Sequence, residues 1–235
     1  MSVMHKIAPG VVIAAFESKD YKNVIALYER ADRPMREHPK FMVIRAHAYY
    51  ELRKYRRAIQ VYNCLLRKRL SREMRADVYY NRGLALRELD RFAEALRDFR
   101  RSGAQYEKCE SLIGEMLYIL SKRNPRYRLA LRYLTSWLGK HPDDEYSRFL
   151  IGACYHQLDR YKLAAKVFLK CLKNGFVNRE LIRGLVLDLS IEGDIDKIKS
   201  YVANLLDASN DPDGVFRDTL EKEWKKLKMN SKNKR

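Results

Sequence analysis

The stretch YYNRGLALRELDRFAEALRDFRR, residues 79–101, decides the fold. Gly83 is followed twelve residues later by Ala95 and four further on by Phe99, and Phe92 stands three before the alanine. Apolar residues recur at three- and four-residue spacing on both sides of Asp90-Arg91, so the segment reads as two amphipathic helices joined by a short polar turn. A small residue belongs where two antiparallel helices approach closely, because a large one would overpack the contact. The aromatics fill the space left between one unit and the next.

The same grammar runs along the chain. Tyr55, Phe92, Tyr127 and Tyr161 precede Ala58, Ala95, Ala130 and Ala164 by three residues, and Tyr62, Phe99, Leu134 and Phe168 follow four later. Weaker copies are Tyr21-Val24-Tyr28 and Ile195-Ile198-Val202. The anchors at 24, 58, 95, 130, 164 and 198 are spaced 34, 37, 35, 34 and 34 apart, the mark of stacked supersecondary units. Ala46, Gly83 and Gly152 supply the small residue twelve positions ahead of the alanine.

This pattern resembles the tetratricopeptide repeat (TPR) family, with units over roughly residues 7–206 and the best matches around 79–101 and 148–171. The resemblance implies an all-α fold: a right-handed α-solenoid of about six helical hairpins whose first helices line a concave groove. It specifies architecture strongly and function weakly. The expected organisation is a solenoid over residues 1–208, a C-terminal capping helix over 209–228, and a disordered basic tail over 229–235. Phe216, Leu220, Trp224 and Leu227 form the apolar stripe of that capping helix. Asn124-Pro125 falls where a tight turn belongs, which predicts a widened turn, and His38-Pro39 and His141-Pro142 mark unit boundaries where Pro opens the next helix.

Charge is unevenly spread. The chain carries +18, and residues 45–132 hold 22 Lys and Arg against 10 Asp and Glu, whereas residues 143–220 hold 11 against 13. Such asymmetry points to an acidic partner or surface. No apolar run is long enough for a spanning helix. Residues 7–16, which superficially resemble a secretory core, fall into the repeat register and are read as the first helix rather than a signal peptide. Cys64, Cys109, Cys154 and Cys171 are widely spaced with no ligand pattern, which suits small buried thiols in a reducing, cytoplasmic compartment.

No nucleotide-binding, nucleophile-elbow or H-E-x-x-H signature occurs, and the five histidines form no ligand cluster, so the chain reads as non-enzymatic, without cofactor or metal. Binding chemistry is the better expectation. The neighbours of the small residues place Val43, His47 and Tyr50 on one face, with Tyr80, Leu84 and Arg87 matching them in the next unit. Phe149 and His156 follow, and Arg183 after them, giving a peptide groove with aromatic anchors and Arg87 for an acidic contact. Packing between repeats is an equal claim on these aromatics. Asn81 matches one position of the Lys/Asn clamp by which some TPR proteins hold acidic chaperone tails. The flanking units lack the rest, so the resemblance does not extend to that clamp.

Basic runs at Arg53, Lys54, Arg56 and Arg57, at Arg67, Lys68 and Arg69, at Arg100 and Arg101, and at Lys122, Arg123, Arg126 and Arg128 form a second surface on turns and second helices. The leading expectation is a scaffold, adaptor or chaperone that binds an acidic protein or peptide. A nucleic-acid-binding solenoid using the basic face is the alternative, and self-association through the groove a third.

Overall fold

The computed structural model describes residues 7–103, 106–121 and 126–191, together with Asp218, Glu221, Lys222 and Lys225. The described residues form helices α1 (Pro9–Glu17), α2 (Tyr21–Arg30), α3 (Arg33–Glu37), α4 (Pro39–Glu51), α5 (Tyr55–Leu66), α6 (Arg72–Arg87), α7 (Phe92–Ser102), α8 (Cys109–Leu120), α9 (Tyr127–Lys140), α10 (Glu145–Gln157), α11 (Tyr161–Lys173) and α12 (Arg179–Ile191). The chain divides into two units, residues 1–116 and 117–235, so the second begins inside α8. In each, consecutive helices pack as antiparallel hairpins, with α4 on α5 and α6 on α7 in the first and α10 on α11 in the second. This is the all-α hairpin stack the repeat implies.

One turn recurs in register. Lys19, Arg53, Asp90 and Asp159 adopt left-handed backbone, φ between 56 and 61°. The next residue in each case donates its N–H to the carbonyl five positions back, as in Lys54 to Tyr49, Arg91 to Leu86 and Arg160 to Tyr155 at 2.8–2.9 Å. This closes the first helix with a Schellman motif, which satisfies its orphan carbonyls. The second helix starts two residues after the left-handed one, at Tyr21, Tyr55, Phe92 and Tyr161. Those are the aromatic markers of the repeat. Lys54, Arg91 and Arg160 cap the second helices without a side-chain hydrogen bond, so the turn and the buried face, not an N-cap, set where they begin.

Burial follows the repeat. Val24, Ala58, Ala95, Ala130 and Ala164 are all 0% exposed, and Tyr28, Tyr62, Phe99, Leu134 and Phe168, four residues on, are buried with them. A Cβ added at Gly83 would lie 2.7 Å from the Phe99 ring, and one at Gly152 would lie 2.5 Å from the Phe168 ring. Phe168 is met on another side by Gly184, whose added Cβ would lie 2.9 Å away, so its ring is held between α10 and α12. The small residues are therefore demanded by sterics, as their spacing predicts.

Four details depart from expectation or lie beyond the described residues. A short helix, α3, intervenes before α4; it is capped by Asp32, which accepts from the Met35 N–H. Pro39 opens α4 as expected, with His38 accepting from the Lys40 N–H, but α10 starts at Glu145, three residues after Pro142. Asp144 takes the cap there because its carboxylate accepts from both the backbone N–H and the hydroxyl of Ser147. Cys109, Cys154 and Cys171 are buried free thiols, but Cys64 is exposed on α5, where its sulfur accepts from Arg67 at 3.2 Å. Asn124-Pro125, the second helix of the sixth unit with Ile195, Ile198 and Val202, and the residues 229–235 lie outside the described residues. So do Phe216, Leu220, Trp224 and Leu227 of the expected capping helix. Asp218, Glu221, Lys222 and Lys225, at the spacing of one helix face, are helical and exposed.

Candidate functional site

The face predicted from α4 and α6 lies within the first unit, where these two helices touch. Val43, His47, Tyr50, Tyr80, Asn81, Leu84 and Arg87 are all half-buried there, neither sealed in the core nor fully free. The ring of Tyr50 meets Tyr55 edge-on at 5.4 Å, and His47 meets Phe16 at 6.1 Å. Tyr80 stacks on Tyr106 with centroids 4.4 Å apart, and Tyr106 donates to Asp77. Burial pushes the phenols of Tyr50 and Tyr80 up, so both remain neutral donors across the physiological range. Asn81 donates to the Asp77 carbonyl at 2.8 Å, a contact along its own helix. Arg87 lies between two carboxylates, 3.2 Å from Glu88 and 3.6 Å from Glu115.

In the second unit the predicted residues take different roles. Phe149 is 4% exposed, packed 6.0 Å from both Phe168 and Phe176, and so serves the core of α10 and α11. His156 is hydrogen-bonded to Asp188 of α12, a carboxylate with no exposed surface, and thereby ties α10 to α12. Arg183 is exposed on α12. Helical periodicity places a residue on a face but cannot say which neighbour covers it; only the packing separates Phe149 from Tyr80.

The basic residues are exposed almost throughout: Arg53, Lys54, Arg56, Arg57, Arg67, Arg69, Arg100 and Arg101 in the first unit, Arg126 and Arg128 in the second. Lys68 is half-buried, and Lys122 and Arg123 lie outside the described residues. Several guanidinium groups sit over aromatic rings. Arg101 and Arg82 cover Tyr79 at 5.3 and 5.6 Å, and Arg45 and Arg57 cover Tyr49 at 5.3 and 5.8 Å.

Packing also reveals polar residues that helical periodicity alone does not single out. Arg82 of α6 forms a two-pronged pair with Asp98 of α7, Nε to Oδ2 at 2.7 Å and Nη2 to Oδ1 at 2.8 Å, and donates to Asn63 of α5 at 2.6 Å. Asp98 is 2% exposed. Arg45 of α4 lies over Tyr28 at 4.6 Å and reaches the Tyr49 hydroxyl at 3.3 Å. A charged residue in the first helix at a fixed offset from the buried alanine was the available signal: Arg45 and Arg82 each stand thirteen residues before it.

Among the described residues no three His, Cys, Asp or Glu side chains converge as metal ligands, and no helix is long and apolar enough to cross a membrane. Burial pushes the thiols of Cys154 and Cys171 up to about 12, which leaves both as poor nucleophiles.

Against known proteins, the tetratricopeptide repeat model matches residues 45–106 and 123–175. Among solved structures, the chain is similar to the C-terminal part of a TPR repeat-containing protein from Cytophaga hutchinsonii, with a TM-score of 0.71 and 18% identity over 91% of this chain and 83% of that one. It is also similar to YrrB, described as a TPR protein with an unusual peptide-binding site, with a TM-score of 0.62 and 17% identity over 83% of this chain and 97% of that one. A crystal structure of MamA follows, with a TM-score of 0.60 and 17% identity over 70% of this chain and 90% of that one. No curated protein matches the chain.

Proposed function

The chain belongs to the tetratricopeptide repeat family, and from that premise we propose that it is a non-enzymatic scaffold, adaptor or chaperone for an acidic protein or peptide. The observation that carries this reading is the row of half-buried side chains on α4 and α6, including Tyr50, Tyr80, Leu84 and Arg87, which the hairpins leave partly open. Rigid aromatic and aliphatic anchors suit a peptide with apolar positions, while its acidic positions fall to the exposed arginines, because Arg87 is already paired with Glu88 and Glu115. The exposed arginines of α5 and α7 would steer such a partner and raise its association rate. The buried, inert thiols of Cys109, Cys154 and Cys171 support a reducing, cytoplasmic compartment.

The experiment is affinity capture with the wild type and with a Tyr50→Ala/Tyr80→Ala variant whose helicity is checked by circular dichroism. Loss of a reproducibly recovered partner is expected. Unchanged recovery by the folded variant removes the α4/α6 face from the account. Nucleic-acid binding is the competing reading. The rings on the basic side, Tyr49 and Tyr79, are already covered by guanidinium groups, which favours protein over base stacking. Binding to generic RNA that weakens steeply with salt would reverse that preference. Light scattering over a range of concentrations tests self-association.

A further inference from the structure

Arg45 and Arg82 occupy the same place in consecutive hairpins, 37 residues apart, and the structure gives them opposite fates. Arg82 is saturated by Asp98 and Asn63. The counterpart of Asp98 is Val61 of α5, an apolar residue, and the counterpart of Asn63 is Glu29 of α2, which is exposed. The Arg45 Nε is buried with no hydrogen-bond partner among the described residues. The guanidinium is nevertheless held in place, over the Tyr28 ring at 4.6 Å and against the Tyr49 hydroxyl at 3.3 Å. In front of it lies a cleft of about 340 Å³ whose lining includes Met42, Arg45, Tyr49, Arg57, Gln60 and Val61.

A buried donor without an acceptor carries its full desolvation penalty, and that penalty is relieved by any group that supplies the acceptor. The matching hairpin identifies that group: a carboxylate, entering from the α5 side. Arg57 adds a second positive charge at the cleft, and Gln60 a neutral amide. We propose that the cleft between α4 and α5 receives a carboxylate side chain of an acidic partner protein, which takes Arg45 as Asp98 takes Arg82. This rests on the protein-binding reading and names a chemical group the partner supplies, on residues separate from Tyr50 and Tyr80.

The test uses the full chain, a fluorescein-labelled hexaglutamate peptide and a hexaglutamine control. Wild type should bind the first with salt-sensitive anisotropy and not the second. The Arg45 Nε–H resonance should shift on titration. Val61→Asp rebuilds the Arg82–Asp98 arrangement within the chain, so it should lower affinity about tenfold or more, whereas Lys170→Gln, loss of one charge on α11 of the second unit, should not. Should V61D fail to fold, Arg45→Leu carries the same expectation. Failure of wild type to bind, an unmoved Arg45 resonance, or full affinity in folded V61D or R45L overturns the proposal. The Tyr50→Ala/Tyr80→Ala variant should keep hexaglutamate binding, so failure of the α4/α6 face and failure of the cleft are read separately.

Discussion

The hairpins α4/α5 and α6/α7 share one backbone plan and differ in how their polar groups are satisfied. Both close the first helix with a left-handed residue, Arg53 or Asp90, and both bury an alanine and an aromatic four residues on. In α6/α7 the aromatic is Phe99 against Gly83, and the cation Arg82 has a carboxylate built in. In α4/α5 the aromatic is Tyr62 and the small residue Ala46, and both the Tyr62 hydroxyl and the Arg45 Nε are buried without a partner among the described residues. Burial also raises the Tyr62 phenol far above its ordinary range, so it stays protonated. The difference teaches that a repeat fixes where side chains go and leaves open whether their chemistry is completed inside the chain. The α6/α7 hairpin spends Arg82 internally, whereas α4/α5 leaves Arg45 to be completed by a partner.

The sharpest way to break the comparison is Asp98→Ala, which strips Arg82 of its buried carboxylate. Removing one partner of such a pair costs on the order of 3 kcal/mol, read as a lowered urea midpoint. Replacing both partners, Asp98→Val with Arg82→Met, should recover most of that loss. Next in size is Gly152→Ala. Phe168 is pressed by glycines from both α10 and α12, so its ring has nowhere to retreat, and overpacking should cost about 2 kcal/mol. Gly83→Ala should cost less, because its added Cβ lies 2.7 Å from the Phe99 ring, whereas the one at Gly152 lies 2.5 Å from the Phe168 ring. Phe168→Leu in the Gly152→Ala background should restore part of the stability.

Tyr62→Phe should move stability the other way. It removes a buried hydroxyl that finds no partner among the described residues and makes α4/α5 more like α6/α7, for a gain of up to about 1 kcal/mol by thermal melting. The smallest effect is a pH dependence confined to one helix start. Burial would raise the carboxyl of Asp144, but hydrogen bonds from the Ser147 backbone, the Trp137 indole and the Ser147 hydroxyl outweigh it and hold it below the usual range. A carboxyl lowered in the folded state stabilises above its unfolded pKa of about 3.9 and loses that contribution as pH falls through the folded value. Trp137 fluorescence, followed in a Trp224→Phe background, should therefore change in strongly acidic solution while the fold persists, and Asp144→Asn should abolish the change. The α6 start, capped by the hydroxyl of Ser71, should show no such step.

Much of the architecture was legible beforehand. The markers Tyr55, Phe92, Tyr127 and Tyr161 each prove to be the first residue of a second helix, and the anchors 58, 95, 130 and 164 are fully buried. These positions are readable because each is tied to its neighbours by local period and by a turn that repeats with it. The candidate site was legible in part. Val43, His47, Tyr50, Tyr80, Leu84 and Arg87 share a half-buried face, while Phe149, chosen by the same rule, is packed under Phe176. Nothing in the periodicity of α10 announces that a residue beyond α11 will fold back over it.

By itself the sequence determined the helical hairpins, their order, the short polar turns within them and the residues that must be small. Those follow from sterics and hydrophobic period, which act over a few residues and repeat. Only the tertiary structure decided which basic side chains are spent internally. Arg82 meets Asp98 sixteen residues away, Arg87 meets Glu115, His156 meets Asp188, and Arg45 meets rings but no carboxylate among the described residues. Pairing of charges depends on distances across packed helices, which no local pattern encodes. That is why the stretch from 79 to 101 could reveal the fold at once, while the open arginine one hairpin earlier became visible only in three dimensions.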